Sequence, residues 1–277
     1  MDGSYQPISL TSSVTDDLVN GIDPNLSDNT NDDVDEIPEI GVAKRLVSSA
    51  SAATSGNRNL TYEVVVRNLG SIDLTDLSLF EDLSSQFGTA YQGVVTAPTI
   101  TASSATVDPS FATGANVWNG SSRTDMFDGA SGELRPGEQF TIRFTVEVDI
   151  DQLSAGSSNQ VTGTGDWDVS GLASGTTSDL SDTGTDPYCP NTGMPGDTGG
   201  YDDPTLIPAI GIAKDHGDYT EWLDADGGTT GRFTFPTTLV IENLGATELT
   251  NLEPRDDIAS FARYAPMQRH QDKRCFV

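Results

Sequence analysis

Basic residues are scarce in this chain: fourteen Lys and Arg stand against forty-two Asp and Glu over 277 residues, a formal net charge of −28. Electrostatic binding to nucleic acid or to an anionic membrane is thereby excluded, because both would be repelled. Cysteine is nearly missing too. Cys189 and Cys275 are too few for a disulfide framework and read as incidental. Neither histidine, His216 or His270, falls within residues 37–170, so a His-based triad or zinc site cannot be assembled there. The chain also lacks a run of roughly 18 apolar residues, the length of a membrane span, which excludes insertion by this fragment. Its first thirty residues have neither the basic start nor the apolar centre of a secretory signal. Helical spacing is nowhere sustained for three turns.

What the chain does have is repetition. Ile37 to Lys44, IPEIGVAK, returns 170 residues later as IPAIGIAK at Ile207 to Lys214. The stretch VVVRNLGSIDLTDLSLFEDL returns as LVIENLGATELTNLEPRDDI, with Asn68-Leu69-Gly70 and Asn243-Leu244-Gly245 175 residues apart, so the second copy carries five extra residues between the landmarks. A period this long marks a whole domain, since solenoid units repeat every 20–50 residues or so. Each copy is preceded by a Gly-x-Asp-Pro step, Gly21 to Pro24 and Gly184 to Pro187, and an acidic run. The expected organisation follows. Residues 1–36 are the largely disordered connector tail of a preceding repeat, 37–170 a complete β-sandwich repeat, and 171–206 an acidic Gly- and Asp-rich connector. Residues 207–261 are an incomplete second repeat. Residues 262–277 form an aberrant basic tail with Arg263, Arg269, Lys273 and Arg274, the pattern of a frameshift or truncation.

The apolar residues recur with period two. In QFTIRFTVEVDI, Phe140, Ile142, Phe144, Val146, Val148 and Ile150 alternate with Gln139, Thr141, Arg143, Thr145, Glu147 and Asp149, the pattern of a long half-buried strand. Leu60, Tyr62, Val64 and Val66 repeat it, as do Leu239 and Ile241 in the second copy. Asn-Leu-Gly supplies a turn, and Leu134-Arg135-Pro136-Gly137-Glu138 another, with Pro presetting φ and Gly accepting a positive one. Amphipathic strands separated by Gly, Ser, Asn and Asp clusters predict an all-β fold, an antiparallel sandwich with one wet face on each sheet.

In combination, Ile-Gly-Val-Ala-Lys, Tyr62-x-Val64-x-Val66-x-Asn68-x-Gly70, Leu79-Phe80-Glu81-Asp82-Leu83, Leu134-x-Pro136-Gly137 and the Gly-x-Asp-Pro exit resemble the bacterial cell-surface "domain of unknown function eleven" repeat. The resemblance covers residues 37 to about 206, and in part 207 to about 261. It implies immunoglobulin-like β-sandwich repeats joined by acidic connectors on a stalk or adhesin, extracellular or at the cell surface. It implies no catalytic residues. The implied partners are neighbouring repeats of the same parent chain, and other cell-surface proteins or glycans.

Calcium is the cofactor the residues suggest. Hard cations take six to eight oxygens, roughly, and acidic connectors can supply them while stiffening a joint. Asp182, Asp186, Asp202 and Asp203 are the expected ligands, with Asn20, Asp23, Asp32, Asp33 and Asp35 in the matching place before the first copy. The plainer reading is a solvated linker. Asp224-Ala225-Asp226-Gly227 resembles the opening of a calcium loop but lacks the distal Glu. Carboxylates are expected on the polar sides of strands or in connectors, without the dry pocket that a glycosidase pair needs, so a non-catalytic module is expected. A carbohydrate- or ligand-binding module, using the loops around Trp118, is the alternative. It requires an exposed aromatic beside polar groups in a groove, whereas a spacer requires Trp118 and Trp167 in the core.

Overall fold

A computed structural model describes residues 8–13, 30–154, 156–170, 173–188, 202–245 and 248–256. Near the N-terminus, β1 (Ile8–Ser13) pairs antiparallel with β2 (Thr30–Asp35), where a largely disordered tail was expected. Asn20 and Asp23 lie outside the described residues, as does the basic tail at 262–277.

The first module is built from β3 (Ile40–Ser51), β4 (Asn57–Asn68), β5 (Leu74–Phe80), the short helix α1 (Leu83–Phe87), β6 (Tyr91–Ser103), β7 (Glu133–Leu134), β8 (Gln139–Asp149), β9 (Ser158–Asn159), β10 (Thr162–Val169), β11 (Ala173–Leu180), β12 (Asp182–Thr183) and β13 (Thr205–Leu206). One sheet has the order β12-β3-β4-β8-β6 and the other β11-β10-β5-β7. The pairs are antiparallel except β12 beside β3, which is parallel. The fold is an all-β sandwich, as the period-two patterning predicts.

The alternation in β8 decides which face turns inward. Phe140, Ile142, Phe144, Val146 and Val148 are buried and meet Leu60, Tyr62, Val64 and Val66 of β4 and Leu74, Leu77 and Leu79 of β5 in one core. Ile150 leaves the strand in a 3-10 turn. On the outer face the register sets Arg45, Glu63 and Arg143 directly across from one another, and Glu63 bridges both arginines at 2.6 and 2.5 Å. At the Pro136 turn, Gly137 has φ +82° and Glu138 N donates to Arg135 O at 2.9 Å, a type II arrangement. Asp82 caps α1 by accepting from Ser85 N at 2.9 Å.

The module does not end at residue 170. β11 and β12 complete the two sheets, and β13 pairs with β9, so part of the stretch expected as a solvated connector is strand. The reason is compositional. In ASGTTSDL of β11 both faces are polar, and an edge strand paired on one side needs little apolar alternation.

The second copy repeats the local geometry of the first. β14 (Ile210–His216) pairs with β17 (Thr237–Asn243), Ile210 opposite Asn243 and Lys214 opposite Leu239, as Ile40 lies opposite Asn68 and Lys44 opposite Val64. The Asn-Leu-Gly turns match bond for bond. Gly70 N donates to Asn68 Oδ1 and to Glu39 O; Gly245 N donates to Asn243 Oδ1 and to Ala209 O. A side chain at either glycine would strike backbone, Ile37 O at 2.2 Å or Ala209 N at 2.3 Å. β15 (Thr220–Leu223) and β16 (Thr229–Thr234) form a separate pair. This copy has little core: Ile212 is 64% and Val240 53% exposed. Ile207, from its opening motif, is buried in the core of the first module.

Candidate functional site

The inward row of β3 reads Ile40, Val42, Lys44, and that of β5 continues Leu77, Leu79, Glu81. A charged residue in phase with an apolar row is carried into the core by the strand itself. Lys44 and Glu81 meet there as an ion pair with both side chains wholly inaccessible to water. Lys44 Nζ also lies 4.7 Å from the centre of the Tyr62 ring and 5.6 Å from that of Phe144. Trp118 closes the nest: its ring stands edge-on to Phe144 at 5.1 Å and its Nε1 donates to Glu81 O at 3.0 Å. Gln86 Nε2 donates to Glu81 Oε1 at 3.1 Å and to Gln160 O at 2.9 Å, while Gln160 N donates to Gln86 Oε1 at 2.7 Å.

Asn159 completes the group. It is fully buried, and among the described residues neither atom of its amide, nor the hydroxyl of buried Tyr62, has a hydrogen-bond partner of normal geometry. Burial raises the Tyr62 hydroxyl well above its ordinary range, and the Asn159 amide beside it opposes this. The two side chains approach closely without a well-formed hydrogen bond. Burial draws both charged partners toward neutrality: Lys44 is lowered to about 8, opposed by the charge of Glu81, and Glu81 is raised, opposed by Lys44. A buried ion pair is weak evidence for stability, because desolvation offsets its attraction. An unpaired buried amide costs about 1–3 kcal/mol besides.

The expected calcium ligands lie elsewhere. Asp182 and Asp203 are buried, and Asp203 N donates to Asp182 Oδ1 at 3.0 Å. Asp202 lies nearby with φ +67°, its carbonyl accepting from Gln160 Nε2. Asp186 is exposed and accepts from Tyr188 N at 3.1 Å. Asp179, not anticipated from sequence, joins the group. Burial pushes its carboxyl up to about 7, the charges of Asp202 and Asp182 add to this, and the N–H of Val42 at 2.7 Å opposes it. Among the described residues no three His, Cys, Asp or Glu side chains are placed to hold a metal ion. Asp224 Oδ1 accepts from Asp226 N and Gly228 N, forming a hairpin turn.

One expectation needs correction. Carboxylates were expected only on polar faces and in connectors, yet Glu81 is dry, because the strand period outweighs residue type at that position. Trp118 is 2% exposed and belongs to the core, the place the spacer reading gives it and not the exposed platform of the alternative. Trp167 packs half-buried against that core, and Trp222, in the second copy, is 61% exposed. An open cleft of about 640 Å³ is lined by Phe80, Asp82, Gln86, Ser154, Gln160 and Leu180, with Phe80 42% exposed. Lys44 and Glu81 were not anticipated, although their phase with the apolar rows is a signal that marks them, whereas nothing local marks Asn159 in GSSNQVTG.

No family model and no curated protein matches the chain. Among solved structures it is similar to a GH20 exo-β-N-acetylglucosaminidase from Vibrio harveyi, with TM-score 0.27 and 12% identity, covering 64% of this chain and 24% of that one. It is also similar to a biomass-sensoring module from Clostridium thermocellum resembling a family 3 carbohydrate-binding module, with TM-score 0.24 and 11% identity over 56% and 97%. A third is BcpA, the major pilin subunit of Bacillus cereus, with TM-score 0.26 and 8% identity over 79% and 61%. The chain thus spans about a quarter of the length of the first, and likenesses this distant carry no argument about activity.

Proposed function

We propose that the chain is a piece of a secreted or cell-surface repeat protein, of the kind the "domain of unknown function eleven" resemblance implies, whose β-sandwich modules serve as non-catalytic spacers. The observation that carries this reading is the serial joint. Ile207 opens the second copy and is 1% exposed inside the first module's core, while β13, just before it, pairs with β9. Successive modules that share core residues transmit orientation along the chain, as a stalk requires. The partners implied are neighbouring repeats and whatever the far end presents. Antibody raised against residues 37–206 should stain intact, unpermeabilised source cells or find the protein in the medium; recovery only from cytosol would overturn the assignment.

A ligand-binding module is the second reading, favoured by exposed Phe80 beside Asp82 and Gln86 in the cleft. Binding on a glycan array that Phe80→Ala abolishes would support it over the spacer.

A further inference from the structure

Three polar side chains and an aromatic cage meet where a hydrocarbon core would serve packing better. Lys44 and Glu81 are in contact, and two independent links carry Asn159 to the same place. Thr205 lies directly opposite Asn159 in the β13–β9 pair, and its hydroxyl donates to Lys44 O at 2.8 Å. Gln86 ties the Glu81 carboxyl to the backbone of Gln160, the next residue. Tyr62 touches both ends of the arrangement, its ring under the Lys44 ammonium and its hydroxyl toward Asn159. An amine, a carboxyl and an unpartnered primary amide, all fully buried, are therefore gathered in one dry nest.

We propose that the protein joins Lys44 to Asn159 by an intramolecular isopeptide bond, with Glu81 as the acid–base catalyst. The neutral amine attacks Cγ of Asn159, forming the Nζ–Cγ bond, while the Glu81 carboxyl protonates and polarises the amide oxygen. Glu81 then takes a proton from Nζ and delivers one to Nδ2, the Cγ–Nδ2 bond breaks, and ammonia leaves; as the carbonyl reforms, its oxygen returns the first proton to Glu81, which passes it to the departing ammonia. Lys–NH₃⁺ and a primary amide become a secondary amide and ammonium, with no oxidant and no other reactant. Burial favours the reactive protonation state, because it lowers Lys44 to about 8 and raises Glu81. Proximity supplies much of the rest, and Tyr62, Phe144 and Trp118 keep water from competing. The product removes the buried ammonium and uses the orphaned amide, which accounts for a constellation that stability alone does not.

The second copy carries the same first half. Lys214 Nζ lies 2.7 Å from both carboxylate oxygens of Asp256, at the positions matching Lys44 and Glu81, on a copy with little core. No residue within the 277 matches Asn159 at that offset, so one cross-link is expected, not two.

The test is intact-mass spectrometry of the purified full chain, and it is independent of the spacer reading. The wild type should weigh one ammonia less than its sequence. Trypsin is unsuitable because no Lys or Arg lies between Arg143 and Lys214, so digestion with an Asp- and Glu-specific protease should yield a branched peptide joining the segments of Lys44 and Asn159. Lys44→Met and Glu81→Gln should keep the full sequence mass. Asn159→Asp should lose one water and converge on the wild-type mass. Succinimide formation at Asn20-Gly21 or Asn119-Gly120 also releases ammonia, but that loss would persist in Lys44→Met. A wild-type protein whose β4 and β8 amides are protected, and whose Lys44 peptide is released unlinked, overturns the proposal whatever the variants do.

Discussion

Phe144 is fully buried between Tyr62, at 5.6 Å between ring centres, and Trp118, at 5.1 Å, while Thr145 turns outward and shares a 3.0 Å hydrogen bond with Thr61. Truncating the two should differ sharply. Phe144→Ala should cost about 3–5 kcal/mol through lost burial and a cavity, and Thr145→Ala within about 1 kcal/mol, read from urea midpoints at constant m. Equal losses would mean the strand does not present alternate residues to core and solvent. Asp179 allows a sign test at the same scale. Its folded pKa lies above the ordinary 3.8, at about 7, so its contribution favours the fold at acid pH and is lost as pH rises through 7. Asp179→Asn keeps an acceptor for Val42 N and cannot ionise beside Asp182 and Asp202. It should therefore stabilise the protein at pH 8 by about 1 kcal/mol, discounted for partial exposure, with the difference vanishing near pH 4. Denaturant melts at the two pH values check this, and a gain confined to pH 4 would reverse the assignment.

At the scale of elements, β10 packs against β3 and β5 through glycine. A Cβ at Gly163 would lie 2.6 Å from Val42 Cγ2, and one at Gly165 3.1 Å from Leu77 Cδ2. The sheets approach there because the inward positions are empty of side chain, so Gly163→Ala should destabilise by about 1–3 kcal/mol through overpacking. No loss in thermal unfolding would show that Val42 yields freely. The two copies separate on a related ground: β4 lies between two neighbours over a core, whereas among the described residues β17 pairs with β14 alone and has exposed apolar residues. Amides of 239–242 should exchange far faster than those of 62–66, since two-stranded pairs are marginal in water; equal protection would contradict this. These elements also show what a sequence discloses. β4 and β8 were legible because alternation of Val, Ile and Phe against Thr and Arg is a local pattern, and the repeat was legible as near identity. β11 to β13 were not, because their polar residues are held by partners remote in sequence. For the same reason Lys44 and Glu81 could be read from the phase of their rows, while Asn159 is placed by β9 docking against β13, which leaves no trace in its neighbours.

For the whole molecule, the cross-link changes which part of the chain bears load. Lys44 lies in β3, near the entry to the module, and Asn159 lies in β9, paired with β13 at its exit. A bond between them carries load directly from β3 to β9, so β4 to β8 are bypassed and only the chain before Lys44 and after Asn159 can extend. In the unfolded state the same bond closes a loop of roughly 115 residues, which by chain entropy stabilises the fold by about 4–5 kcal/mol. Pulling separates this from tight packing alone. If the module is stretched from residue 37 to residue 206, the stretch from Lys44 to Asn159 cannot extend, so unfolding should release a contour shorter than that of Asn159→Ala. The shortfall should be roughly 115 residues at about 3.5 Å each, or about 400 Å. Single-molecule force spectroscopy on wild type and variant reads this length directly. Equal contour gains would place the load on hydrogen bonds between strands and leave the buried Lys44–Glu81 pair as a contact without a bond to make.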